Sequence, residues 1–439
     1  MIGHRGVGSL IGILVLASPL SAARAAEPWK IGEPIVAYWA GPGYPGGGPL
    51  DDAAADQIVA GGWNLAWCSR PEDLDVARRH RLRGLFTDPL IAPESLDDPK
   101  RREALTALVD RLRSHPALYA YHVVDEPSAS AFPALGRLVA FLRERDPAHL
   151  AYINLLPTYA NNQQLGVEGP ILRAYEEHLR RFVETVRPGL LSWDHYQFRR
   201  GDDAPDYFLN LSLVRDRALA SGLPFLNIVQ ASSWVPGAAA SPTSPRVPGS
   251  EEMRFLVYTT LAYGAQGISY YVYHYPAHEG GMIGDDGKPT ARYRALETLN
   301  REFTAIAREL QPLRSLAVHH AGMQPPGAVP LPDDSPFQLV PPVSPEPFRS
   351  GDRARGILLG SFGPAGARSG ARPTATHVVV VNLDYRADRT TTLVGPAPLE
   401  VFNAATGGWS AATGPRAELR LKGGGGMLIR LASAGSTSR

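Results

Sequence analysis

The sequence predicts an α/β protein: an eight-stranded (β/α)8 barrel followed by a C-terminal antiparallel β-sandwich. Three observations carry that expectation. Short apolar, β-rich runs alternate with amphipathic helical stretches eight times over the first three quarters of the chain. A proline-rich stretch then breaks the pattern, and beyond it only short runs separated by turn residues remain. The glycine-rich loop after the first run, GPGYPGGG, is not read as a phosphate loop, which weighs against the alternative of an open, doubly wound sheet.

The strand candidates are IVAYWA from Ile35, WNLAWC from Trp63, LRGLFT from Leu82, LYAYHVV from Leu118, LAYINLL from Leu150, LLSWDHY from Leu190, PFLNIVQ from Pro224 and GISYYVY from Gly267. After the third, PKRREALTALVDRLRSH sets Leu105, Leu108, Val109 and Leu112 on one face of a helix. After the fifth, Leu172, Tyr175, Leu179, Phe182, Val183 and Val186 repeat that spacing. Ser250 ahead of Glu251 and Glu252 reads as a helix start, since a hydroxyl caps free amides and acids suit the positive end of the dipole. Eight βα units in succession close into a TIM barrel. The texture changes near Leu316, and AGMQPPGAVPLPDDSPFQLVPPVSPEPF marks the expected boundary, with the barrel over 26–320 and the sandwich over 321–439. Sandwich strands are expected within HVVVVNLDYRADRTTTLV, PLEVFNAATGGWS, AELRLKG and GMLIRLAS, with the run Gly423 to Gly426 as a turn before the last.

Composition narrows the function. With 439 residues, 44% hydrophobic and 20% charged, the chain has the balance of a folded protein. Lys and Arg number 44 against 43 Asp and Glu, a net charge of +1 with no basic block, so no nucleic-acid partner is expected. His4 and Arg5 precede an apolar run from Leu10 to Leu20, and Ala23-Arg24-Ala25 follows. That pattern predicts a cleavable signal peptide over 1–25, too short to span a bilayer, and hence a secreted or periplasmic protein without membrane insertion. The single cysteine, Cys68, excludes a disulfide framework and reads as a small buried residue. The oligomeric state stays open.

On this architecture chemistry sits at the C-terminal ends of the strands. The fourth run ends YHVVDEPS, placing Asp125 and Glu126 at its exit. Asn154 ends the fifth, followed by Tyr159, Asn161 and Asn162. Asp194, His195 and Tyr196 end the sixth, and Gln230 then Trp234 the seventh. The eighth supplies Tyr273, His274, Tyr275 and Glu279, while Trp39 and Tyr44 belong to the first. Carboxylates among amides and aromatic rings form the usual lining of a sugar site, because rings stack on pyranoside faces while amides and acids bind hydroxyls. Glycosidic cleavage needs a proton donor and a second carboxylate. Glu126 is the candidate donor, Asp194 the candidate second carboxylate and Asp125 its competitor; the Asp125 charge would also raise the Glu126 pKa. Trp39, Asn154, His195, Tyr196, Gln230, Trp234, Tyr273 and His274 are the candidate substrate-binding residues.

Plainer readings exist for each. Asp125-Glu126-Pro127 suits a helix N-terminus, and Asp194 suits a backbone-amide acceptor. The tyrosines of the eighth run suit barrel packing, and Trp39 and Trp234 suit the core. His122, His195 and His274 fall near three strand ends, but no HxH pair ends the first strand, so no metal and no cofactor are expected.

The carboxylate pair ending strand four, GGWNLAWCS at strand two and a trailing sandwich together resemble the glycoside hydrolases of the large retaining clan, in particular the family 42 β-galactosidase catalytic domain and its bacterial relatives. In that clan an Asn-Glu pair at strand four supplies the acid/base Glu. The resemblance therefore implies that role for Glu126, with Asp125 where Asn would stand. The clan's nucleophilic Glu ends strand seven, whereas NIVQASSW offers Gln230, an amide that cannot attack. The resemblance implies a secreted glycoside hydrolase whose second carboxylate has moved, to Asp194 or Glu279. The alternative is a non-catalytic carbohydrate-binding protein on a degenerate glycosidase barrel, and a third reading is a metal-dependent hydrolase using the histidines. Sugar, linkage, endo or exo action and stereochemistry stay open.

Overall fold

The computed structural model describes residues 29–235, 240–349, 351–364, 374–412 and 414–432. The expected signal peptide lies outside the described residues. All eight expected barrel strands form: β1 (Ile35–Trp39), β2 (Leu65–Cys68), β3 (Arg83–Phe86), β4 (Leu118–Asp125), β5 (Leu150–Leu155), β6 (Leu191–His195), β7 (Phe225–Gln230) and β8 (Gly267–Tyr271). They pair in parallel in the order β1-β8-β7-β6-β5-β4-β3-β2. Helices cover the outside and side chains fill the inside, so β1, β2, β6 and β7 are buried along their whole length. That double burial is why the runs read as continuous rather than alternating.

The helical layer is α1 (Asp52–Ala60), α2 (Pro71–Arg79), α3 (Pro99–Leu112), α4 (Phe132–Arg145), α5 (Ile171–Arg181), α6 (Tyr207–Ser221), α7 (Ser250–Tyr263) and α8 (Ala291–Leu310). Leu105, Leu108, Val109 and Leu112 are buried as their spacing predicts. In α5 the expected stripe holds for Tyr175 and Leu179 and continues through the π turn Phe182–Val186, while Leu172 is exposed on the first turn. Ser250 is already the first residue of α7, so it does not cap; Glu252 takes the task, accepting the Gly249 N–H at 2.7 Å.

A side chain closes the barrel between β1 and β2. Asn64 donates its backbone N–H to Val36 O at 3.0 Å, accepts the Val36 N–H on Oδ1 at 3.0 Å and donates Nδ2 to Pro34 O at 2.9 Å. A carboxamide carries the same donor and acceptor as a peptide group, so it continues the ladder where strand pairing stops.

Eight longer strands build the sandwich: β9 (Leu313–Gln324), β10 (Gln338–Val340), β11 (Gly356–Pro364), β12 (His377–Asn382), β13 (Arg389–Val394), β14 (Leu399–Asn403), β15 (Arg416–Leu421) and β16 (Gly426–Leu431). One sheet runs β9-β11-β12-β16-β14, with two-residue strands at its edges, and the other β10-β13-β15. The expected boundary at 320/321 therefore falls inside β9, and the proline-rich stretch, which carries the end of β9 and the whole of β10, lies within the sandwich rather than being a linker ahead of it. The run HVVVVN does not alternate because β12 is buried on both faces: Val378 and Val380 enter the sandwich core, Val379 and Val381 the core shared with the barrel.

The two domains meet at very short range along α7. A Cβ on Gly360 would lie 2.0 Å from Ala262 O, and one on Gly424, at φ +68°, would lie 2.4 Å from Glu251 O. Arg254 donates to Gly423 O at 2.8 Å, and the Trp409 indole donates to Glu309 of α8 at 3.3 Å. Trp409 is thus an interface residue. Among the described residues no helix is long and apolar enough to cross a membrane. Gly360→Ala is expected to cost about 1–3 kcal/mol by forcing the sheet off α7. Denaturant unfolding of the variant and wild type checks this, and an unchanged midpoint would refute it.

Candidate active site

Six barrel strands and two exit residues converge on a cavity of about 130 Å³ at the C-terminal mouth. Asp125 of β4, Asn154 of β5 and Asp194 of β6 form its acidic floor with Glu126. Trp39, Tyr196, Ile228 and Tyr271 form its walls. Residues two apart on a strand share a face, so Tyr152 and Ser192 lie beneath Asn154 and Asp194 and act as their supports.

A relay fixes the floor. The Tyr152 hydroxyl is 2.8 Å from Ser192 Oγ, and Ser192 Oγ donates to Asn154 Oδ1 at 3.0 Å. With its oxygen occupied, the Asn154 amide has one orientation, and Nδ2 donates to both Asp125 Oδ1 and Asp194 Oδ1 at 3.0 Å. In an extended strand Asp125 and Glu126 would point to opposite faces. Glu126 instead adopts φ +47° and anchors its N–H on Asn154 O at 2.9 Å, which turns both carboxyls into the same cavity. A left-handed non-glycine residue costs about 1–3 kcal/mol and persists where surrounding structure imposes it. The motif does not itself start a helix: Ser128 stands between it and the 3-10 turn Ala129–Ala131, which leads into α4.

The electrostatics are those of a crowded acid. Asp194 is 3% exposed, whereas Asp125 and Glu126 stay open to solvent through the mouth. Burial, then repulsion from Glu126 and Asp125, pushes the Asp194 carboxyl well above the usual range. Burial followed by the Asp125 charge raises Glu126, opposed by a hydrogen bond from Asp194. Burial also raises Asp125, against the Asn154 hydrogen bond. The hydrogen bond that Asp194 donates to Glu126 adds to the rise at Asp194 and opposes it at Glu126. No Lys or Arg lines the cavity.

The other expected residues divide. Trp39, Asn154 and Tyr196 line the cavity, and Trp234, 37% exposed, packs on Tyr196 with ring centroids 5.0 Å apart. Tyr271 stands 5.1 Å from Tyr196 and completes this wall. Tyr271 was not singled out from sequence; its signal was its place as the last residue of β8. Four expected contacts are corrected. Gln230 is fully buried and its amide is engaged by backbone, accepting from Phe198 N at 2.8 Å and donating to Phe198 O and Arg246 O at 2.9 and 2.7 Å. Tyr273 is buried against the helical layer, donating to Gln57 of α1 at 2.9 Å. His274 donates to Ile283 O at 3.2 Å, outside the cavity. His195 lies behind the wall, between Tyr159 and Tyr207 and 3.4 Å from Asp206.

Glu279 pairs with Arg200 at 3.2 Å and does not line the cavity. His122 is caged by Trp39, Trp67 and Tyr152, and burial lowers its pKa to about 4. Among the described residues no three His, Cys, Asp or Glu side chains are grouped to hold a metal ion. Cys68 is buried in β2, which pushes its thiol well above the ordinary value.

The raised carboxyls carry a stability consequence. An acid with a higher folded than unfolded pKa binds more protons when folded, so stability falls as pH rises from the ordinary carboxylate value, about 4, towards the raised one. Asp194→Asn removes one such acid at constant size. Its thermal midpoint is expected to exceed that of wild type at pH 7, with the gap shrinking towards pH 4. Calorimetry across that range checks this, and a gap independent of pH would refute it.

No family model matches the sequence, and no curated protein matches it. Solved structures do. A glycoside hydrolase family 5 protein from Bacteroides vulgatus aligns at 13% identity over 95% of this chain and 97% of its own, with a TM-score of 0.51. A β-galactosidase from the psychrophilic Marinomonas ef1 aligns at 12% identity over 66% of this chain and 63% of its own, under two thirds of its length, with a TM-score of 0.45. An endo-β-1,4-mannanase from Thermotoga petrophila aligns at 9% identity over 90% and 98%, with a TM-score of 0.41. The structural neighbours are thus glycoside hydrolases with TIM-barrel folds, and at these identities the likeness is one of fold.

Proposed function

We propose that this protein is an exported glycoside hydrolase acting in the cup at the barrel mouth. The observation that carries the reading is the trio Asp125, Glu126 and Asp194, gathered by Asn154 beneath an aromatic wall. Glu126, open to the cavity and held protonated by burial and the Asp125 charge, gives its proton to the leaving oxygen and is left as the carboxylate. The two carboxyls that flank a scissile bond stand about 5 Å apart in retaining enzymes and roughly 6.5–9.5 Å in inverting ones. Asp194 is hydrogen-bonded to Glu126, and we assign it as the group that holds the donor in place, which leaves the opposing position to Asp125. Asp125, on the other branch of the Asn154 fork, is the second carboxylate and stabilises positive charge at the anomeric carbon. An acidic floor without a cation favours an uncharged pyranoside over uronic or sulfated sugars. Export rests on the signal-like pattern of residues 1–25.

Hydrolysis of a panel of neutral and acidic aryl glycosides and polysaccharides tests this. Glu126→Gln and Asp125→Asn are each expected to lose about a thousandfold in kcat/KM. Wild-type activity should fall as pH rises through the raised pKa of the Glu126–Asp194 pair, because the donor ionises. Full activity in Glu126→Gln would overturn the assignment. Sugar binding without turnover by wild type would instead establish a carbohydrate-binding barrel, the reading favoured by Gln230 standing at the end of β7.

A further inference from the structure

The loops after β6 and β7 carry the aromatic wall, Tyr196 on the first and Trp234 on the second. They are zipped to one another by backbone bonds: Arg246 N to Phe198 O at 3.0 Å, Arg200 N to Ser244 O at 3.0 Å and Gly201 N to Pro242 O at 2.8 Å. Gln230 ties the knot from below, holding both Phe198 and Arg246. The Arg246 guanidinium forks onto Glu252 at 2.7 and 2.5 Å, reaches Asp203 Oδ1 at 3.4 Å and lies 5.0 Å over the Phe198 ring. The other Asp203 oxygen accepts the Tyr385 hydroxyl at 2.7 Å. Tyr385 belongs to the sandwich, on the turn between β12 and β13. It is 4% exposed, with its ring 5.9 Å from Phe198 and 5.8 Å from Phe255.

We propose that Tyr385 is a positioning residue through which the C-terminal sandwich holds both wall-bearing loops over the cup. Each Asp203 oxygen has its own partner, Arg246 on one side and Tyr385 on the other. Removing the hydroxyl leaves a carboxylate oxygen inside the interface without its donor, and the carboxylate then either hydrates or swings away from Arg246. Because Arg246 is zipped to Phe198, two residues from Tyr196, a shift there moves the wall and not merely the domain contact. Gly360 and Trp409 grip α7 and α8 instead, so they bind the domains together without touching these loops.

Hydrogen exchange separates a positioning role from a simple prop. In Tyr385→Phe, which keeps the ring packing, amides of 198–204 and 242–248 are expected to exchange about tenfold faster, with β1 to β5 unchanged. Trp409→Phe, which loses the Glu309 bond, should leave those loop amides at the wild-type rate. If Tyr385→Phe fails to fold, Asp203→Asn takes its place with the same expectation. A second arm rests on the hydrolase reading: KM for a neutral glycoside should rise about fivefold while kcat changes less than about twofold. Wild-type exchange in the loops of Tyr385→Phe, or equal loosening in Trp409→Phe, would overturn the proposal. Absence of turnover by wild type would count against the hydrolase reading, while the exchange arm still decides this one.

Discussion

One side-chain amide holds the acidic floor of this barrel together. Three carboxyls share a small cavity that no cation lines, an arrangement that like-charge repulsion and burial both oppose. Asn154 offsets part of that cost by donating to Asp125 and Asp194 at once, and the raised pKa of the buried Asp194 favours its uncharged form. The amide works only in one orientation, since its oxygen turned towards the acids would add to the repulsion. Ser192 and Tyr152 supply that orientation, so the relay is as necessary to the site as the acids are.

The rest of the molecule follows from keeping this floor rigid and partly dry. The barrel sets the three strand ends of the floor, β4, β5 and β6, and the left-handed turn at Glu126 aims a further carboxyl inward at a conformational cost. Aromatic rings from the β6, β7 and β8 exits build the wall. The sandwich lies close against α7 because glycines at 360 and 424 let backbone meet backbone, and its Tyr385 reaches the wall-bearing loops. Stability is spent where function is placed, the usual relation between an active cavity and its scaffold.

The barrel was legible because a parallel strand covered on both faces leaves an uninterrupted apolar run, and eight such runs separated by amphipathic helices have few other solutions. The polar residues at the run ends were legible for the same reason, being the only breaks in burial. The sandwich was harder. GILLGSFGP of β11 is broken by glycines and buried along nearly its whole length, and the first strand β9 carries no alternation, so neither reads as a strand, while the proline-rich sequence reads as a boundary.

By itself the sequence determined the fold class, the order of the elements and the set of strand exits at which chemistry could sit. It also determined that Asp125, Glu126, Asn154, Asp194 and Tyr196 belong to neighbouring exits. Which way each exit residue turns was decided only in three dimensions. Gln230 and Tyr273 sit two residues from the cavity residues Ile228 and Tyr271, yet each is drawn outward by a partner far along the chain, Phe198 and Gln57, while His274 and His195 turn away to nearer partners, Ile283 and Asp206. Where the Glu126 carboxyl points depends on one dihedral, its φ of +47°. Periodicity records burial averaged over an element, whereas a site depends on the direction of single side chains, and that direction is set by long-range hydrogen bonds.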